Sequence, residues 1–165
     1  MQEIAEACGL TKAGLYHHIK TKEALLLAIM HYGMDLFEDM VLAKARDLPD
    51  PVARIRECMT RNIALVVQDS SKEVTIILHE HQTLTGTSAQ EINSRKKRYV
   101  EFLEAAFREA MERGQIRPVD PTVAAFSLLG TVLWTYKWYR PDRRLTPAQI
   151  SDGMIDLFFQ GLMPR

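Results

Sequence analysis

The chain has 165 residues, with 21 Lys+Arg balancing 21 Asp+Glu, which is enough for one well-buried core or a small module attached to a modest second domain. Its composition, 47% hydrophobic and 25% charged, is neither disordered nor membrane-embedded, and no apolar stretch approaches the ~20 residues of a bilayer span. A net charge of zero counts at first against a nucleic-acid partner, so the local charge has to be examined.

Apolar residues recur at three- and four-residue spacing and nowhere alternate convincingly, which predicts an all-α chain. Two short helices are expected at about 2–8 and 12–18. Ile4, Ala5 and Cys8 give the first a small apolar face. Gly9 supplies the backbone freedom of a tight turn. Thr11 is a good N-cap for the second helix, and Leu10 can staple to Leu15. Leu15 and Ile19 continue the buried side, while Lys12, Ala13, Tyr16, His17 and Lys20 lie elsewhere. Thr21 then caps a long helix at about 22–46, with Glu23 in its dipole-favoured first turn. Two short capped helices about a glycine turn make a helix-turn-helix. From Thr11 to Lys22 the chain carries three lysines, His17, His18 and no acid. Such a strip can neutralise phosphates whatever the total charge. It also occurs as the solvated face of an ordinary bundle; the pattern of Ala5, Gly9, Leu10, Thr11, Leu15 and Ile19 favours the DNA reading.

Further helices are expected at about 51–69, 72–85, 88–113, 121–139 and 147–162. Pro49 and Pro51, Gly86, Pro118 and Pro121, and Pro141 and Pro147 punctuate them, with Gly114 as a C′ residue. Met59 and Ile63, Leu78 and Gln82, and Tyr99, Phe102, Leu103 and Phe107 have core-facing periodicity on successive helices. Methionine suits an adaptable cavity, though most such positions are simply core. Val123, Phe126, Leu129, Val132, Leu133 and Tyr136 surround one late helix. On the last, Ile150, Met154, Leu157, Phe158 and Leu162 share a face, with Ile155 and Phe159 opposite. Helices apolar all round need partners on both sides, which points to a second copy of the chain. Trp134 and Trp138 can wall a ligand or cement that dimer.

The segment IAEACGLTKAGLYHHIKTKEALLLAIM, Ile4 to Met30, resembles the DNA-binding region of the tetracycline-repressor (TetR) family of bacterial transcription regulators. The later segments RKKRY, WTYKWYRP and RRLTPAQI…FFQGL are similar to a subgroup controlling fatty-acid, steroid or related lipid catabolism. The resemblance implies a DNA-binding module over 1–31 and a ligand-binding and dimerisation domain over 32–165. Family members carry another helix ahead of the helix-turn-helix. Met1 begins directly at that motif, so a truncated start is expected. Matched to the family, Thr11, Lys12 and Ala13 face base edges in the major groove. Tyr16 and His17 face phosphates, and Lys22 begins the next helix near the same backbone. A two-fold dimer implies an approximately palindromic operator.

The candidate effector residues are Met59, Ile63, Leu78, Gln82, Arg95, Arg98, Tyr99, Phe102 and Trp134. Arg95-Lys96-Lys97-Arg98 cannot all point one way on a helix, so much of it is solvated. With Tyr99 and Phe102 beside it, one or two members can grip the phosphates of an acyl-CoA. Arg140, Arg143 and Arg144 form a second cationic cluster with the same two readings. No catalytic constellation, metal site or cofactor is expected: in His79-Glu80-His81 the i and i+2 side chains diverge on a helix, and neither H-E-x-x-H nor a phosphate-binding glycine loop occurs. Two cysteines far apart and no signal peptide fit a reducing cytoplasm.

Overall fold

The structure, a computed structural model, describes residues 11–67, 83–140 and 142–162. Among these residues every regular element is helical. Helix α1 (Lys12–His18) starts where the Thr11 hydroxyl accepts the Gly14 amide at 3.0 Å. A Cβ at Gly14 would lie 3.2 Å from that same oxygen, so the glycine lets the cap close. Helix α2 (Lys22–Phe37) starts in the same way: extended Thr21 accepts the Ala24 amide at 3.0 Å. Beyond Phe37 the rod widens into a π-helical turn, Glu38–Leu42, and returns to α-helix as α3 (Ala43–Arg46). The expected helix over 22–46 is therefore continuous but contains a change of winding.

Helix α4 (Pro51–Val67) follows Asp50, whose Oδ2 accepts the Ala53 amide at 2.7 Å while Gln115 donates to Oδ1. These two hydrogen bonds, that from Gln115 first, hold the Asp50 carboxyl below its ordinary range. Asp50→Ala should cost about 1–2 kcal/mol. Because the folded-state pKa is depressed, this contribution is present above the unfolded-state pKa and is lost as pH falls through the folded value. In urea titrations the gap between wild type and variant should be constant near neutrality and shrink in acid. A gap independent of pH would refute the capping role.

Helix α5 (Gly86–Glu112) opens with Gly86 at φ 54° and is closed by Gly114 at φ 67°. The Gly114 and Gln115 amides donate to the Met111 and Ala110 carbonyls, each at 2.9 Å. This is the glycine-closed C-terminus expected at Gly114. Gly86, expected to be a break between helices, is instead the first residue of α5; Thr83, Leu84 and Thr85 are not helical. The rest of the helix expected over 72–85 lies outside the described residues. Helix α6 (Pro121–Leu133) is capped by Asp120, which accepts the Val123 amide at 2.9 Å. The helix expected over 121–139 is interrupted at Trp134, after which α7 (Thr135–Trp138) begins. Helix α8 (Pro147–Gln160) has a reciprocal capping box between Thr146 and Gln149.

Helix α4 is the hub, packed on α3, α5, α6, α7, α8 and the π turn. Ile55, Met59, Ile63, Leu103, Phe107, Leu128 and Val132 form the main core. A smaller cluster joins Met30 and Met34 of α2 to Leu84 and Ile92. The partly buried Arg54–Glu109 pair adds a polar tie between α4 and α5. On α6 the inward side is Ala124, Ala125, Leu128 and Val132, whereas Val123 and Phe126 are 64% and 56% exposed. On α8 Ile150, Ile155 and Phe159, and just beyond it Leu162, turn into the protomer, and Leu157 is 74% exposed. The single face expected for Ile150, Met154, Leu157, Phe158 and Leu162 is therefore split, because Ile150 and Leu162 belong to the protomer's own core and Leu157 points away. No described helix is long and apolar enough to cross a membrane.

Candidate nucleic-acid interface and effector cleft

Helix α1 presents Ala13, Tyr16 and His17 on its exposed side, with Thr11 at its start and Lys22 exposed at the start of α2. The Thr11 hydroxyl accepts the Gly14 amide and keeps a proton to donate. The side chain of Lys12 lies outside the described residues, as do Leu78, Gln82 and the His79-Glu80-His81 triplet. Lys20 adds a further exposed cation. The described part of the motif is thus a short capped helix whose exposed face carries small, aromatic and imidazole groups beside lysines. That combination suits a nucleic-acid surface, where cations position the backbone and short side chains approach base edges.

The rod that begins at Lys22 ends beside a cleft. A concavity of ≈ 420 Å³ is lined by Phe37, Glu38, Leu42 and Arg46 from the rod and by Arg95, Arg98, Tyr99 and Phe102 from α5, with Glu101 beside them. Four of the expected effector residues, Arg95, Arg98, Tyr99 and Phe102, therefore meet in one place. Phe37 stacks edge-on against Tyr99 with centroids 4.4 Å apart. The Tyr99 hydroxyl accepts from Asn62 Nδ2 at 2.7 Å, and the same nitrogen donates to the Cys58 carbonyl at 2.8 Å. Burial pushes the Cys58 thiol up to about 12, and burial, followed by the neighbouring Cys58, raises Tyr99 well above an ordinary phenol. Both groups stay neutral, and of the two only Tyr99 lines the cleft.

The other expected effector residues are placed elsewhere. Met59 and Ile63 are 0% and 1% exposed in the main core. Trp134 is 61% exposed at the end of α6, on the outer side with Phe126. The basic run divides as helix geometry requires: Lys97 and Arg98 are exposed, Lys96 is half-buried with its pKa lowered by that burial, and Arg95 is turned inward. The Arg95 guanidinium already holds Glu38 and Asp35 at 2.9 and 2.6 Å. The Glu38 hydrogen bond outweighs burial and raises the Arg95 pKa. Sequence reasoning missed Phe37, Glu38, Leu42 and Arg46. Asp35 and Glu38, three apart on one helix, are the available signal, since two acids on a largely apolar rod call for a cationic partner. Arg140, Arg143 and Arg144 line a separate concavity of ≈ 460 Å³ with Trp138, Tyr139 and Leu145. Among the described residues no group of three His, Cys, Asp or Glu side chains converges to hold a metal.

Comparison with known proteins adds the family context. The family described as bacterial regulatory proteins, tetR family, matches residues 1–29, and that described as tetracyclin repressor-like, C-terminal domain, matches residues 49–162. The HTH-type transcriptional repressor KstR2 of Mycobacterium tuberculosis is 23% identical, over 98% of this chain and 82% of its own. The fatty acid metabolism regulator protein of Bacillus subtilis is 20% identical, over 98% of this chain and 84% of its own. The crystal structure of AibR in complex with isovaleryl coenzyme A and operator DNA superposes with a TM-score of 0.91 at 63% identity, covering 94% of this chain and 84% of that one. Apo AibR gives a TM-score of 0.87 at 59% identity, covering 99% and 86%.

Proposed function

The chain belongs to the tetracycline-repressor family, and from that premise we propose that it is a homodimeric transcriptional repressor, released from a palindromic operator by an acyl-CoA or another small hydrophobic effector. The observation that carries this reading is the continuous rod from Lys22 to Arg46, which starts beside the exposed face of α1 and ends in the wall of the cleft. A ligand that favours one seating of that rod biases the position of α1. Coupling of roughly 1–3 kcal/mol would change operator affinity about 5- to 150-fold. The acyl-CoA class is supported by the apolar and cationic lining of the cleft and by the likeness to AibR, whose structure holds isovaleryl coenzyme A and operator DNA together. The division into a DNA-binding module over 1–31 and an effector domain over 32–165 accords with family matches that end at 29 and resume at 49.

In this reading Thr11, Lys12 and Ala13 meet base edges, and Tyr16, His17 and Lys22 meet phosphates. The protein works by binding alone, without a catalytic step, in the cytoplasm where its operator lies. Its dimer forms through the exposed sides of α6 and α8. Gly130 and Gly153, where a Cβ would meet nothing within 4 Å, permit close approach. Selection of duplexes from a random pool, followed by anisotropy titration with isovaleryl coenzyme A, tests the whole. A salt-sensitive palindromic site that is weakened by the ligand supports it. Failure to enrich any sequence would leave a helical small-molecule-binding protein. Lys22→Ala should weaken binding to every duplex and lower the salt slope by about one unit. A variant with an unchanged slope would place Lys22 away from the phosphates.

A further inference from the structure

The second concavity, of ≈ 460 Å³, brings Arg140, Arg143 and Arg144 together around a single acid, Asp142. Three guanidinium groups against one carboxylate leave its lining at +2, in a chain whose total charge is zero. All three arginines are exposed, and among the described residues none is held in an ion pair. The loop keeps them close: the Arg143 amide donates to the Arg140 carbonyl at 3.1 Å, and Arg140 Nη1 donates to the Tyr139 carbonyl at 2.8 Å. Like charges gathered in this way repel one another unless an anion lies between them. Helix α8 adds to the field. Leu145 and Ile150, which flank its start, line the same concavity, so the positive end of the helix dipole lies beside it. Trp138 completes the lining and is 46% exposed. An aromatic ring open to solvent beside guanidinium groups is a stacking platform for a planar base.

This lining selects among ligands by chemistry. A cation is repelled, and a wholly apolar ligand would desolvate three charges without pairing them. One carboxylate satisfies one guanidinium fork, whereas neighbouring phosphates offer enough oxygens for several. The volume falls in the range of about 300–1,000 Å³ typical of small-molecule sites. We propose that this concavity is a nucleotide site: Arg140, Arg143 and Arg144 hold two neighbouring phosphates, and the Trp138 ring stacks on the base. It shares no residue with the cleft beside the rod, so it stands or falls independently of the effector assigned to that cleft. A free nucleotide such as ADP and the nucleotide end of a coenzyme A ester both offer this chemistry.

Trp134 and Trp138 are the two tryptophans of the chain, so Trp134→Phe leaves Trp138 as the sole reporter. In that full-length chain ADP should quench the fluorescence, and calorimetry on wild type should give the same affinity. Adenosine, which lacks phosphates, should bind at least about tenfold more weakly. Arg143→Gln combined with Arg144→Gln should weaken ADP by a similar factor, with thermal unfolding to check folding. Arg108→Gln, an equivalent charge loss elsewhere, should leave ADP binding unchanged. Coenzyme A binding well above ADP through the same arginines assigns the site to an ester's nucleotide end; equal or weaker binding assigns it to a free nucleotide. No ADP binding at about 1 mM, adenosine as tight as ADP, or an arginine pair without effect overturns the site. Inorganic pyrophosphate as tight as ADP, or a random-sequence duplex displacing ADP at these arginines, would make the loop a general polyanion surface and overturn the nucleotide.

Discussion

Leu157→Arg combined with Phe126→Arg is expected to leave a folded monomer whose operator affinity has dropped by about 100-fold or more. The two side chains are 74% and 56% exposed, so neither supports the protomer's own core, and arginine fits at both without displacing a neighbour. In the proposed dimer the pair packs against a second copy. Val123, Phe126 and Trp134 run along the outer side of α6, and Leu157 stands out from α8 between the exposed Gly153 and Gly161. Several large apolar side chains exposed on two helices mark an interaction site. In a two-fold interface each residue meets the same patch on its partner, so an arginine at either position brings like charges together where water has been excluded. A monomer presents one α1 helix and loses the second, effectively intramolecular, contact with the other half-site. Light scattering after gel filtration reports the mass, and anisotropy reports the operator affinity. A variant that stays dimeric with unchanged affinity would move the interface away from α6 and α8.

The features legible in the sequence are those set by neighbours along the chain. Thr11, Thr21 and Thr146 cap their helices because a hydroxyl reaches an amide three residues ahead, and Gly114 ends α5 because it alone there accepts φ 67° without strain. The zero net charge hid a cationic stretch for the same local reason: Asp35, Glu38 and Asp39 offset it further along the rod. What could not be read depends on partners distant in sequence. The spacing of Arg95-Lys96-Lys97-Arg98 shows that the run must divide around the helix. It does not show that Arg95 turns inward, because its partners Asp35 and Glu38 lie 60 and 57 residues away. Likewise Tyr99 and Phe102 are visible as a cleft wall on α5, while Phe37, Leu42 and Arg46 become the opposite wall only through the packing of the rod. The π turn was equally hidden, since one widened turn disturbs a three- and four-residue pattern too little to register. On α8 the periodicity was present, but it did not decide which apolar residues serve the protomer and which its partner.

Phe107→Ala should lower stability by about 3–5 kcal/mol, a large share of the roughly 5–15 kcal/mol that holds a domain of this kind folded. Phe107, at 0% exposure, is the largest fully buried side chain among the described residues. It lies in the main core, where α5 faces both α4 and α6. Truncation removes an aromatic ring and leaves a cavity that helices on several sides cannot all collapse to fill. The midpoint of thermal unfolding should fall by roughly 10 °C or more. The effect should also reach the dimer, because Phe107 lies 6.3 Å, ring to ring, from Phe158, which stacks on Phe159 at 5.8 Å, and Arg56 covers that ring at 4.1 Å. Losing the first ring loosens the seat of α8, so dissociation of the dimer should begin at a higher protein concentration than in wild type. Phe107→Leu, which fills most of the volume, should recover most of both effects. A Phe107→Ala variant that unfolds within a degree or two of wild type would mean that α8 is held by contacts other than this aromatic series.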